Sequence, residues 1–458
     1  MPYVTWKSFD WKYDSLPLFE AIRDKENAFF LDSSLRKNGL GRYSFLGFEP
    51  FYVLRANGDE NLFGKIRELL RRYTLDTKGY AFPFLNGAVG YFSYDLGLNL
   101  EKIEAKEKRD ALFPKVWLGF YDTVIALDHL KKKLIVASSG FPERTHYLAQ
   151  KKATQKLTQC IKLLSVIEPF SGKKENIKAK EPCHRSLISN FTKPQYLKAI
   201  AKAKAYIRKG DIYQVNLSQR FSARTDMDSF DLYVRLRKVS PSSFSSYLDC
   251  GDFQIISSSP ERFLCYDGKK AVTRPMKGTR PRGNTKEEDA CQKKELLKSA
   301  KDKAELVMIV DLMRNDLGRV CEYTSVKVTS LRALEAYSTV YQATATIEGK
   351  LHKDKDRVDL LKACFPGGSI TGCPKIRSMQ IIDELEPTRR GMYTGSLGYL
   401  SFHNTMDLNI LIRTMVKKDD TMYFQVGGGI VADSVPEAEY EETLVKAQGI
   451  LRAIESRF

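Results

Sequence analysis

The chain has 458 residues, 43% of them hydrophobic, and its 74 lysines and arginines against 56 acidic residues give a formal charge of +18. No apolar run approaches the roughly 18 residues of a membrane-spanning helix, and the opening MPYVTWKSFDWKYDSL lacks the basic start, apolar stretch and cleavage site of a signal peptide, so a cytoplasmic protein with no membrane role is expected. The basic residues fall in short scattered groups without the interleaved aromatics of a single-strand groove, which argues against nucleic acid and leaves a field favouring anionic substrates.

In the first third of the chain, GRYSFLG, FYVLRANG, GAVGYFSYDLG, VWLGFYDTVIALDH and KKKLIVASSG alternate apolar runs with turn signals and predict strands of an antiparallel sheet. HYLAQKKATQKLTQCIKLLSVI predicts a helix, and the polar segment after it, without periodic apolar positions, predicts a linker over 168–190. The expected division is therefore a β-rich region over 1–167, the linker, and a second region over 191–458. The second region opens with a helix in KPQYLKAIAKAKAYIRKGD that Gly210 ends. Strands are expected in IYQVNLSQRFSA, SSFSSYLDC and FQIISSSPERFLCYDG, one long helix in KKELLKSAKDKAELVMIVDLMRNDLGRV, and another near Pro374. GSLGYLSF, MDLNILIRTMV and MYFQVGGGIVA predict the last strands before a C-terminal helix from about Pro436. Runs of strands with helices segregated between them indicate an α+β fold.

Chemistry enters with the acidic residues. Asp302 and Glu305 lie three apart on one predicted helix, and Glu439 and Glu442 three apart on another, so each pair shares a helical face. Two such faces meeting would need a hard cation such as Mg²⁺; apart, they are ordinary solvated surface. Eight cysteines without a C-x-x-C pair, and five histidines without ligand spacing, leave oxygen as the only metal donor. Lys277 lies in TRPMKGTRPRG among Arg274, Arg280 and Arg282, where burial and neighbouring cations would favour a neutral, nucleophilic amine; the alternative is a basic surface loop. Glu261, at a predicted strand end in SSSPERFL, has the placement of a general acid or of an ordinary charged residue. Tyr393, Arg413, Lys446 and the backbone of Gly427-Gly428-Gly429 are donors suited to a carboxylate, or else core, surface and turn residues. In PGGSITGCPK, Ser369 and Thr371 read as helix caps or as part of an anion site.

Taken together, GDIYQVNLSQRF, SSSPERFL, TRPMKGTRPRG, KAELVMIVDLMRNDLGRV, PGGSITGCPKIRSMQIIDELE, YTGSLGYL, NILIRT and VGGGIVADSVPEAEYEETLVKA resemble the chorismate-utilising enzymes, in the family's order and densely over 195–450. LDSSLRKNGLGRYSFLGFEP and LNGAVGYFSYDLG resemble the matching region of the ammonia-using members, where anthranilate synthases hold an inhibitory tryptophan; Ser33 and Ser34 occupy that position here. The resemblance implies antiparallel sheets packed as a β-sandwich with helices outside. It assigns Glu305 and Glu442 to Mg²⁺, with Glu439 and Asp302 supporting. Tyr393, Arg413, Lys446 and the Gly428–Gly429 backbone would hold the pyruvyl carboxylate, Gln214, Gln342 and Thr279 would line the substrate site, and Glu261 would protonate the departing C4 hydroxyl.

Two positions separate the subfamilies. Water-adding members carry a lysine base in place of Gln214, which ammonia does not need. Anthranilate synthases carry alanine in place of Lys277, whereas aminodeoxychorismate synthases carry the lysine, which attacks C2 so that ammonia entering at C4 then releases it. The resemblance thus implies amination of chorismate to 4-amino-4-deoxychorismate for 4-aminobenzoate and folate synthesis, with anthranilate synthase or a non-catalytic anion binder as rivals. Gln342 stands where some relatives have histidine, and a glutamine cannot shuttle a proton. No cysteine here sits in a glutaminase-like elbow, so the expected partners are a separate small glutaminase in a heterodimer and a downstream aminodeoxychorismate lyase.

Overall fold

The computed structural model describes residues 4–37, 39–58, 61–75, 82–104, 106, 108, 113–165, 167, 187–283, 285–337 and 340–455, and most of the expected linker lies outside them. Among the described residues the strands form two antiparallel sheets. One runs, in spatial order, Thr5–Asp10, Lys133–Ser138, Thr123–Asp128, Tyr43–Gly47, Phe29–Asp32, Phe244–Asp249, Gln254–Ser259, Thr414–Lys418, Thr421–Ile430, Gln214–Arg224 and Gly372–Cys373. The other runs Met276–Pro281, Val340–Lys350, Lys270–Arg274, Arg262–Tyr266, Met406–Asn409, Ser396–Ser401, Gly87–Phe92, Val116–Tyr121 and Tyr52–Ala56. Strands from before and after 168–190 share both sheets, as in the pairing of Phe29–Asp32 with Phe244–Asp249 and of Gly87–Phe92 with Ser396–Ser401.

The sheets face each other across a core that includes Phe29, Phe45, Val124 and Leu248 from the first and Val89, Tyr91, Trp117 and Tyr399 from the second. Helices Leu16–Glu20, His146–Leu164, Ser229–Val239 and Pro436–Glu455 cover the outer face of the first sheet. Helices Leu62–Arg72, Lys193–Arg208, Ala300–Gly318, Arg357–Cys364 and Lys375–Leu385 join a second outer core. The fold is therefore the expected α+β sandwich with helices outside, and strands covered on both faces explain why so many runs show no polar alternation.

Three runs that each read as continuous β-structure are in fact two strands, one in each sheet. VWLGFYDTVIALD passes from Val116–Tyr121 to Thr123–Asp128 at Asp122. Gln254–Ser259 passes to Arg262–Tyr266 through Pro260-Glu261, and Met406–Asn409 passes to Thr414–Lys418 through 410–413. The last two crossings lie side by side: the Ile410 N–H donates to the Glu261 carbonyl at 3.0 Å and the Ser258 N–H to the Arg413 carbonyl at 3.1 Å. Another expectation is corrected by Ser299. The long helix is two, Lys286–Lys298 and Ala300–Gly318, because Ser299 has an extended ψ of 110° and its hydroxyl accepts the Asp302 N–H at 3.1 Å as the second helix's cap.

Buried ion pairs tie the helices to the sheet edge. Arg390 and Glu386 pair at 2.8 Å with side chains almost wholly buried. Glu386 accepts from both the N–H and the hydroxyl of Ser218, while Arg390 donates to the carbonyls of Asn216 and Ile370. Lys375 reaches Asp316 at 2.6 Å, joining Lys375–Leu385 to Ala300–Gly318. A buried pair stripped of one member leaves an uncompensated charge. Arg390→Met is accordingly expected to destabilise the protein by about 3–5 kcal/mol, seen as a lower urea midpoint, and adding Glu386→Gln should recover part of the loss.

Candidate active site

The site is built where the two sheets part. Glu261, at the crossing after Gln254–Ser259, is buried, and its Oε1 accepts the Ser369 hydroxyl at 2.6 Å. Burial pushes its carboxyl up to about 7, against the Ser369 hydroxyl, the Met276 N–H and the nearby Lys277 ammonium, which all pull it down. A carboxyl so poised can deliver a proton near neutrality.

Lys277 follows Met276 on the edge strand Met276–Pro281 and pairs with Glu305 of Ala300–Gly318 at 3.2 Å. A Cβ added to Gly429 would lie 2.6 Å from the Lys277 amine and closer still to the Gln214 amide, so this glycine is required for the close approach. The Gln214 side chain is buried, and its Oε1 has no hydrogen-bond partner. On the other side of the same strand, a Cβ at Gly428 would meet Glu439 Oε2 at 3.2 Å and Glu442 Oε1 at 3.8 Å. Lys446 pairs with Glu442 at 2.7 Å and donates to the Gly427 carbonyl at 3.0 Å.

The four expected metal carboxylates each have a separate partner, a cation for three of them and a hydroxyl for Glu439. Glu305 is held by Lys277, Glu442 by Lys446, Glu439 by the Ser434 hydroxyl at 2.6 Å, and Asp302 by Arg280 at 3.1 Å. At Glu442, burial is outweighed by Lys446, Lys277 and Lys301, which hold the carboxyl below its ordinary value; at Glu439, burial prevails and raises it. Glu305 and Glu442 thus both act on Lys277, whereas Asp302 lies beneath Gly278 in the grip of Arg280. Among the described residues no group of three or more histidine, cysteine or acidic side chains is gathered to hold a metal by itself.

Arg413 has a left-handed backbone, φ 51°, at the second crossing. Burial lowers its guanidinium, and among the described residues no carboxylate pairs with it. A strained, desolvated and uncompensated cation is a site for an anion. Tyr393 lies under the Arg390 guanidinium, 5.6 Å from its ring centre, and lines a cavity of about 790 Å³ to which Glu261, Lys277 and Gly429 do not contribute. Gln342 is buried with an unpartnered Oε1 and lies opposite Thr279 in the strand ladder, while the Thr279 side chain is exposed. Ser33 lines a separate cavity of about 280 Å³, and Ser34 is turned to Ser242 and Ser245.

The pattern of the chorismate binding enzymes matches residues 26–452. The chain belongs to this family. It is 38% identical to aminodeoxychorismate synthase component 1 of Bacillus subtilis over 98% of the chain and 96% of the relative, and 38% identical to anthranilate synthase component 1 of Acetivibrio thermocellus over 96% and 92%. Among solved structures it is similar to anthranilate synthase component I from Streptococcus pneumoniae, with a TM-score of 0.80, 32% identity and 91% and 94% of the two chains covered. Relatives of both reactions match at similar identity, so the chemistry has to be read from the site.

Lys301, which acts on Glu439 and Glu442, carried no signal in the sequence. Ser369 was expected to cap the following helix or to form part of an anion site; the N-cap of Lys375–Leu385 is Pro374, with no side-chain cap bond, and Ser369 faces Glu261 from a short 3₁₀ turn. Gly429→Ala drives a methyl into Lys277 and Gln214 without touching the core. It is expected to cut turnover of chorismate by about 10²-fold, the scale of a 1 Å misplacement, with an unchanged melting temperature; steady-state rates and calorimetry check both halves.

Proposed function

We propose that this protein is the chorismate-converting subunit of an aminodeoxychorismate synthase, adding ammonia at C4 of chorismate with retention of the pyruvyl group. The observation that carries the reading is the position of Lys277, whose amine lies against Gly429 and Glu305 and acts on Glu261. The relative from Bacillus subtilis named for this reaction supports it, and the relatives named anthranilate synthase keep that reaction as the rival reading.

In the proposed sequence the Lys277 ammonium, paired with Glu305 in the resting site, first gives a proton to solvent; its amine then forms a bond to C2, the conjugated ring double bonds shift, and the C4–O bond breaks. Glu261 gives its proton to the departing hydroxyl, which leaves as water. Ammonia then forms a bond to C4, the double bonds shift back, and Lys277 leaves C2 with its electron pair. The double displacement puts nitrogen at C4. Gln214 supplies no base, and ammonia requires none, since its lone pair is available without prior proton loss. Arg413, Lys446 and the Gly428–Gly429 backbone hold the pyruvyl carboxylate. Thr279 and Gln342 lie on the rim and wall in this reading, and Tyr393, which lines a different cavity, is not part of it.

Mg²⁺ commonly takes one or two protein carboxylates and completes its shell with water and substrate oxygens. In this reading Glu305, paired with Lys277, and Glu442, whose carboxyl Lys277 helps hold below its ordinary value, would be those carboxylates, with Glu439 and Asp302 in supporting positions. Bound there, the ion would neutralise the ring carboxylate of the substrate. The ammonia would come from a separate glutaminase, and the product would pass to a separate lyase. No helix among the described residues is long and apolar enough to cross a membrane, and a cytoplasmic setting fits this reading.

Given chorismate, Mg²⁺ and an ammonium salt, the purified protein is expected to form 4-amino-4-deoxychorismate, identified by mass spectrometry; anthranilate as the product would overturn the reading. Because Glu261 must enter the reaction protonated, kcat/KM for chorismate at constant free NH₃ is expected to fall as pH rises through about 7. Glu261→Gln should lose about 10²–10⁴-fold in rate together with that limb of the profile.

A further inference from the structure

The Glu261 carboxyl has three polar neighbours, and two of them suit only its charged form. The Met276 N–H is a donor with no acceptor capacity, and the Lys277 ammonium likewise favours the carboxylate. A general acid must be equally well accommodated while it still carries its proton. The third neighbour, the Ser369 hydroxyl at 2.6 Å, can rotate to accept from the acid or to donate to the carboxylate. We propose that Ser369 is a positioning residue that aims the Glu261 carboxyl and sets its hold on the catalytic proton.

The turn that carries Ser369 is fixed on every side. A Cβ at Gly367 would lie 2.8 Å from Ile410, and one at Gly368 would lie 2.6 Å from Leu312 and 2.8 Å from Met313, so both glycines are needed for the turn to lie flat on the crossing and on Ala300–Gly318. The Thr371 hydroxyl donates back to the carbonyls of Gly367 and Gly368, and the Thr371 carbonyl accepts the Asn216 N–H at 2.8 Å. From the far side, the buried Arg390 guanidinium donates to the Ile370 carbonyl at 2.9 Å. The Ser369 backbone therefore has little freedom, while its hydroxyl keeps one rotation. While Glu261 carries its proton, that hydroxyl can accept a hydrogen bond from the acid across the same 2.6 Å contact. When the substrate hydroxyl takes the proton and leaves as water, the Ser369 O–H turns and donates to the new carboxylate. The charged groups facing Glu261 are Lys277 on the adjacent strand and, through it, Glu305 of the helix.

This assignment rests on Glu261 as the acid of the proposed reaction, but its test does not need turnover. In substrate-free protein, the infrared carboxylic-acid band that disappears in E261Q reports the Glu261 proton, and its loss with rising pH gives the midpoint. Ser369→Ala removes a donor to the carboxylate, so the midpoint is expected to move upward by about one unit or more. The alkaline limb of kcat/KM at constant free NH₃ should move with it, and kcat should fall; Ser369→Thr, which keeps the hydroxyl, should restore both positions. An unmoved midpoint in Ser369→Ala, or a Ser369→Thr protein that behaves like the alanine variant, would overturn the proposal. A shifted midpoint in a protein that makes anthranilate would leave Ser369 in its role and remove only the aminodeoxychorismate reading.

Discussion

The site depends on a single constraint, the adjacency of two crossings between sheets. The chain leaves one sheet at Ser259 and enters the other at Arg262, and it makes the reverse passage between Asn409 and Thr414. Hydrogen bonds from Ile410 to the Glu261 carbonyl and from Ser258 to the Arg413 carbonyl lock these passages together. An acid and an anion-binding cation are thereby presented from rigid backbone at the place where the sheets separate. Gly367 and Gly368 let the Ser369 turn close over the same place, and Gly429 leaves room for Lys277. Moving either crossing by one residue would turn Glu261 or Arg413 to the opposite side.

Around this frame three of the acids are paired with cations, while among the described residues Arg413 has no carboxylate partner. Glu305, Glu442 and Asp302 pair with Lys277, Lys446 and Arg280. Arg413 is buried without a carboxylate partner among the described residues, which is why the proposed reading gives it the substrate's carboxylate. Burying an unpaired cation is costly, and the return is differential: an anionic ligand gains what the resting protein lacks. Desolvation keeps a proton on Glu261 near neutrality, and Lys277 beside it is paired with Glu305.

Much of this was legible in the sequence, and the limits have physical causes. The strands Tyr43–Gly47, Tyr52–Ala56 and Lys133–Ser138 and the helix Lys193–Arg208 follow from local periodicity and turn residues, which act over a few positions. The passages at Asp122, Pro260-Glu261 and 410–413 were hidden because strands covered on both faces read as one apolar run whichever sheet they join. The break at Ser299 lies between good helix formers and shows only in the backbone angle. At the site, Lys277 pairs with Glu305 and lies with Gln214 beside Gly429. Asp302 is claimed by Arg280, Tyr393 lines a different cavity, and Ser369 acts on Glu261; each of these depends on tertiary neighbours that no spacing encodes.

The central claim is that Lys277 is a nucleophile. Wild-type protein mixed with chorismate and Mg²⁺ in the absence of ammonia, quenched and weighed intact, tests it most directly. The protein is expected to gain the mass of chorismate less water, located by peptide mapping on Lys277 and discharged when ammonium is supplied. A Lys277→Ala protein that forms the same product at the same rate, alongside a wild type that never carries the adduct, would contradict it.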